Sequence, residues 1–204
     1  MTATSPSTPR KRGRPTAAEQ AERQDQILDA ATALFVARGL GQVTIDEIAA
    51  AAQVTKRTIY TYFGDKAEVF TAVIERFRGR ALSELDAEHT SLLDVAAHLV
   101  FVLHADDAIG MHRLMIGESA QFPELAAAFY SSGPQGYTAT LERYLDGRAA
   151  SAEALFGLLL GEAHRRRLLG LDRAPTEAAA RAHAQRVLET LGLEGHGTRG
   201  GHPH

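Results

Sequence analysis

The stretch VTIDEIAAAAQVTKRTIYTYFGDK, Val43 to Lys66, decides how this chain is read. Thr44 followed three residues later by Glu47 fits a capping box. A helix therefore starts there, with Ile45, Ile48, Ala49 and Ala52 as its apolar residues. Gln53 and Val54 leave room only for a tight link, and Thr55 suits the cap of a second helix. On that helix Ile59 and Phe63 share one side, while Lys56, Arg57, Thr58, Tyr60, Thr61 and Tyr62 crowd the rest. Asp65 with Glu68 caps a third helix beginning at Lys66. Caps so closely spaced fix where each helix begins. A helix that reads DNA needs this, because its first residues must be held still against a groove.

Working outward, Thr16-x-x-Glu19 is another capping box, opening a helix to about Arg38 with Ile27, Ala30, Ala31, Leu34 and Phe35 on one stripe and Gly39 as its stop. After Lys66, the residues Val69, Phe70, Val73, Ile74 and Phe77 form a stripe that runs to about Leu85. Further helices are expected over Leu92–His104, Asp107–Gln121, Pro123–Ser132, Gln135–Leu145, Ala149–Leu169 and Thr176–Leu191, with breaks at Gly133-Pro134 and Asp146-Gly147. The expected fold is all-α, about nine helices in all, a three-helix head followed by a helical second domain. The expected divisions are a disordered basic arm at 1–15, the head at 16–66, the second domain at 67–192 and a flexible tail at 193–204.

Composition narrows the function. The 204 residues can bury a sizeable core, and with no cysteine there is neither a disulfide framework nor a thiolate metal site. No apolar run reaches the length of a membrane span and the N-terminus lacks a signal-peptide core, so a cytoplasmic protein without membrane partners is expected. Residues 1–80 carry 12 Lys and Arg against 9 Asp and Glu, a net +3, and residues 81–204 carry 10 against 16, a net −6. The positive half is the half with the reading helix, which fits a polyanion there. The chain has no Gly-x-Ser-x-Gly, no phosphate-binding loop and no dinucleotide fingerprint, so neither an enzyme nor a cofactor is expected. His104, Asp106, Asp107 and His112 straddle a helix break without a metal-ligand spacing, and no metal is expected.

Taken together, Ala30-Ala31-x-x-Leu34-Phe35, Gly39, Thr44-Ile45-x-x-Ile48-Ala49, Val54-Thr55-Lys56-Arg57-Thr58-Ile59-Tyr60-x-Tyr62-Phe63, Lys66 and Phe70 resemble the tetracycline-repressor (TetR) family of bacterial transcription regulators. The likeness covers residues 22–80, with the helix-turn-helix at 44–63. The segment Arg113–Leu125, followed by Phe129-Tyr130, is similar to the C-terminal domain of the AefR-like subgroup. The resemblance implies a helix-turn-helix DNA-binding head and a helical ligand-binding and dimerisation domain, in a homodimer on a palindromic double-stranded DNA operator, most simply a repressor, released by a small hydrophobic effector.

Lys56 and Arg57, at the start of the reading helix, suit guanine O6 and N7, which are both acceptors. Tyr60, one turn on, suits a thymine methyl or a phosphate, and Thr55 and Thr58 are short hydroxyl donors. The resemblance adds Thr44, Tyr62 and Lys66 as backbone grips. Asp46 would repel phosphate and is left out. In the arm Arg10-Lys-Arg-Gly-Arg-Pro15, Arg12 and Arg14 either enter an A·T-rich minor groove, as in an AT-hook, or give only salt-sensitive attraction.

In the second domain the large or polarisable side chains Phe101, His104, Met111, Met115, Phe122, Phe129, Tyr130 and Tyr137 are candidates for an effector pocket, with core packing as the plainer role. The last two helices, which in the resembling family build a four-helix dimer interface, offer Leu155, Gly157, Leu158, Gly161, Ala184, Val187, Leu188 and Leu191. A buried intramolecular helix would show the same pattern.

Overall fold

The computed structural model describes residues 16–83, apart from the Ser83 side chain, and residues 91–194. Among the described residues it is all helical: α1 (Ala17–Arg38), α2 (Ile45–Ala51), α3 (Lys56–Tyr62), α4 (Lys66–Ser83), α5 (Leu92–Leu103), α6 (Asp106–Glu118), α7 (Pro123–Tyr130), α8 (Gly136–Tyr144), α9 (Ala149–Leu168) and α10 (Glu177–Leu191). A single π turn, Ser131–Gln135, joins α7 to α8, so these two form one bent rod and the helical rods number nine. The arm with Arg12 and Arg14, and the His-rich tail, lie outside the described residues.

The starts follow the caps read from sequence. Thr16 with Glu19 and Thr44 with Glu47 form reciprocal boxes. The Asp65 and Glu68 carboxylates each accept from the other's backbone N–H at 2.9 Å. Gly39, at φ 84°, ends α1 in a conformation that costs a side-chain-bearing residue energy. Pro134 does not break the chain as its sequence suggests. It has no N–H to donate, and the wider π turn absorbs that loss while the rod continues.

Ile27, Ala31, Phe35, Ile48, Ile59, Val69, Phe70 and Val73 are completely buried around a Phe35–Phe70 edge-to-face pair 5.5 Å apart. The same core takes in Met111, Leu114, Met115 and Leu125 from α6 and α7, so the apolar core of the head does not stop at residue 66. Burying such side chains contributes about 1.5–3 kcal/mol each, which holds the head on the body. A second core surrounds α5, where Leu92, Val95 and Leu99 meet α8, α9 and α10. Between the cores runs α4. Its Arg76 pairs with Asp29 of α1 at 2.8 Å, and its Glu75 accepts a hydrogen bond from Ser132 in the π turn. Among the described residues no helix is long and apolar enough to cross a membrane.

Candidate nucleic-acid interface and effector region

The helix α3 stands where its sequence demands. Ile59 is completely buried, and Val54 and Phe63 pack against the same core, so the opposite side faces outward. Gln53, at φ 54°, makes the tight corner before it. The Thr55 hydroxyl oxygen accepts from the Thr58 N–H at 3.1 Å, and the two hydroxyls lie 2.8 Å apart, which fixes the first turn. Arg57 is exposed and has no ion-pair partner among the described residues, and Tyr60 is half exposed. Lys56 is engaged: its ammonium donates to the Asp46 carboxylate at 3.1 Å, and that hydrogen bond and charge raise its pKa. Sequence reasoning set Asp46 aside as repelling phosphate and missed that it holds Lys56 while DNA is absent. A side chain in the first turn of α2 facing one in the first turn of α3 was the available signal.

The other expected grips are built into the scaffold. The Thr44 hydroxyl donates to the Glu47 carboxylate at 2.8 Å. The Glu47 carboxyl is held down to about 2, first by the Thr44 backbone N–H, then by that hydroxyl and by Arg38, whose guanidinium is 2.8 Å away. Lys66 reaches back and donates to the carbonyls of Leu40 and Val43 at 2.8 and 2.9 Å, which ties the loop between α1 and α2 to the start of α4. Only one of its three N–H groups is left for a phosphate. Tyr62 is half-buried against the head core and edge-on to Phe63, 6.3 Å between rings. It is a packing residue as well as a surface one.

The eight effector-pocket candidates do not converge. Met111, Met115, Phe122 and Phe129 join the head core, Tyr137 joins the second core, and Phe101 and Tyr130 are exposed. Burial pushes the Tyr137 hydroxyl up to about 12. The pattern of apolar residues marked burial, and these helices bury their faces against different partners. His104 stands apart. It lines a cleft of about 330 Å³ together with Ala163, Arg167, Asp172, Arg173 and Pro175. Its ring lies edge-on to His164 at 5.3 Å, His112 follows at 5.0 Å, and Phe129 lies 5.5 Å beyond His112. Burial holds His164 down to about 4, with smaller contributions from His112, His104 and Arg167. The polar run Ala163–Arg167 gave no sign that His164 and Arg167 turn inward.

The dimer candidates divide by face. Leu155, Ala184, Val187 and Leu188 belong to the chain's own second core, where α10 lies along α5, and Leu191 is half-buried against it. Their stripe packs within the chain, the pattern a buried intramolecular helix also gives. Gly157 and Leu158 lie on the open side of α9, Leu158 being 41 % exposed. Gly161, at φ 49°, kinks that helix. A Cβ at Gly157 or Gly161 would touch nothing within 4 Å among the described residues.

With this geometry in place, comparison with known proteins places the chain. Residues 27–73 match the family of bacterial regulatory proteins of the tetR type, and residues 90–191 match the C-terminal domain of AefR-like transcriptional repressors. The HTH-type transcriptional regulator TtgW of Pseudomonas putida is 32% identical over 127 residues, 53% of this chain and 95% of its own length. SrpR, also of Pseudomonas putida, is 32% identical over 127 residues, of which the match spans 60% of its length. Among solved structures, a TetR-family regulator from Mesorhizobium loti MAFF303099 superposes with a TM-score of 0.69 at 25% identity, covering 87% of this chain and 98% of that one. The flavonoid-responsive regulator FrrA superposes at 0.65 with 27% identity, covering 88% and 100%. These relatives are transcriptional regulators rather than enzymes, and the chain belongs to the TetR family of helix-turn-helix DNA-binding transcriptional regulators.

Proposed function

We propose that this protein is a ligand-responsive cytoplasmic repressor that binds a palindromic operator as a homodimer and leaves it when a small hydrophobic effector occupies the second domain. The observation that carries this reading is the outward face of α3, on which Arg57 has no ion-pair partner among the described residues and Tyr60 is half exposed above a fully buried Ile59. Lys56, Arg57 and Tyr60 read base edges, Lys56 by exchanging Asp46 for DNA. Thr44, Thr55, Thr58, Tyr62 and the remaining N–H of Lys66 hold phosphates, and Arg12 and Arg14 of the arm add attraction. The division into arm, head at 16–66, body at 67–192 and tail goes with this reading. Two copies meet through the open side of α9 at Gly157, Leu158 and Gly161. That spaces two heads for successive major grooves about 34–36 Å apart. An effector acts by shifting α4, which is hydrogen-bonded to the π turn on one side and paired with α1 on the other.

A gel shift with the DNA upstream of the protein's own gene tests this. The expected result is a retarded band that survives excess unrelated DNA and is lost with an effector. A band removed by any competitor at equal concentration would contradict it.

A further inference from the structure

The last turn of α6 grips the loop that leads into the helix-turn-helix. The Glu118 carboxylate accepts from the Leu40 N–H at 2.9 Å. The same oxygen lies 2.6 Å from where a Cβ on Gly39 would stand, so it fills the space that a side chain there would need. Leu40 is thereby held by its N–H to α6, by its carbonyl to Lys66 of α4 at 2.8 Å, and by a side chain 1 % exposed in the head core. The Val43 carbonyl accepts from the same ammonium at 2.9 Å, and Thr44 next to it caps α2. The start of α2 therefore follows Leu40, and Leu40 follows Glu118.

The helix that carries Glu118 is itself fastened on two sides. Met111 and Met115 put one side of α6 in the head core, and a Cβ on Gly110 would stand 2.9 Å from Val36 of α1, so these helices approach closely. Glu118 falls on the side of Met111, about two turns further on, whereas Arg113 lies about 140° round the helix from it. Arg113 donates to the Arg167 and Leu168 carbonyls in the last turn of α9 at 2.7 and 2.8 Å. Asp106, the first residue of α6, pairs with Arg167 at 2.6 Å. With α6 tied to the body in this way, Glu118 presents a fixed point to the head.

We infer that Glu118 is a positioning residue for operator reading: through the Leu40 N–H it sets the angle at which the head leaves the body, and so the distance between the two heads of a dimer. The inference rests on the reading of the protein as a dimeric operator binder. Two heads must meet major grooves about 34–36 Å apart, so a head loose on its body loses affinity for paired half-sites. Binding to unrelated DNA is charge attraction and needs no such spacing. A glutamine at this place still accepts the Leu40 N–H through its amide oxygen, and an alanine does not.

The test compares the full chain with Glu118→Gln and Glu118→Ala by fluorescence anisotropy, on the DNA upstream of the protein's own gene and on unrelated DNA of the same length. Glu118→Ala should bind the upstream DNA about tenfold more weakly and unrelated DNA within about twofold of wild type, with Glu118→Gln close to wild type on both. Should Glu118→Ala not fold, Glu118→Asp takes its place, since its carboxylate falls one methylene short. Unchanged binding to the upstream DNA, or an equal loss on both DNAs as in a merely destabilised head, would overturn the proposal. A second readout needs no DNA. The chain has no cysteine, so spin labels at Thr61→Cys on α3 and Glu153→Cys on α9 report the head-to-body distance by double electron–electron resonance, with unlabelled chain in excess. Glu118→Ala should broaden that distance distribution and Glu118→Gln should leave it narrow; equally narrow distributions in all three proteins would also overturn the proposal. A wild type without preference for the upstream DNA would sink the operator reading instead, and the label distances would still decide whether Glu118 positions the head.

Discussion

Acidification should unfold this protein by charging its buried histidines, and the structure sets the size of the effect. His164 has the ordinary value of 6.5 when unfolded and about 4 in the fold, where burial opposes the charged ring and His112, His104 and Arg167 oppose it further. Between those values the unfolded chain binds a proton that the folded chain refuses. Stability is therefore intact above pH 6.5 and falls as pH drops toward 4. At about 1.4 kcal/mol per pH unit, His164 alone removes about 2 kcal/mol at pH 5, a large share of a typical folding free energy. His104 and His112, both lowered by burial, act in the same direction. Glu47 belongs to a separate window, since its carboxyl is held down to about 2 and its contribution is lost only below 4.5. The assay is urea unfolding followed by circular dichroism at pH 7.5, 6.0 and 5.0. The comparison variant is His164→Phe, which keeps a ring beside His104 and His112. Wild type should lose stability steeply between pH 6.0 and 5.0, and between pH 7.5 and 5.0 the variant should lose about 2 kcal/mol less. Equal wild-type stability at pH 7.5 and 5.0, or the same slope in both proteins, would refute the reasoning.

Three further outcomes follow from the head. Arg57→Ala should leave the unfolding curve unchanged and weaken operator binding by about 1–3 kcal/mol, seen in a salt-controlled gel shift. Lys66→Ala should destabilise the head by about 1–3 kcal/mol, because two hydrogen bonds to the Leu40 and Val43 carbonyls are lost; a variant that only weakens DNA binding would contradict this. Asp46→Asn frees Lys56 and removes a negative charge from the DNA-facing side. It should tighten binding to unrelated DNA, measured by fluorescence anisotropy, while shifting stability by less than about 1 kcal/mol.

Local rules carried the reading of the head. Thr16, Thr44, Thr55 and Asp65 begin their helices because each cap answers N–H groups within three residues, an interaction written in adjacent letters. What was not legible depends on contacts between distant residues. Leu40 hydrogen-bonds Glu118, 78 residues away, and Met111 and Leu125 complete the head core, so the head and the body are less separable than their sequence patterns suggest. Pro134 read as a break because proline cannot continue a regular helix, and a π turn is the exception that spacing does not reveal. Arg167 and His164 sit in a run that reads as a solvated face. The packing of α9 on α5 and α6 sets them inward, against Asp106, the His104 carbonyl and the other rings. The stripe on α10 announced burial correctly, and only the packing on α5 shows what buries it.

The central claim is that α3 reads a specific operator as one of a pair. The most direct measurement is a footprint of the protein on the DNA upstream of its gene. The account predicts protection of an inverted repeat whose half-sites are centred about one helical turn apart, or a multiple of it, and loss of that protection in Arg57→Ala. Protection that spreads along the DNA without a repeat, or that Arg57→Ala leaves intact, would contradict it.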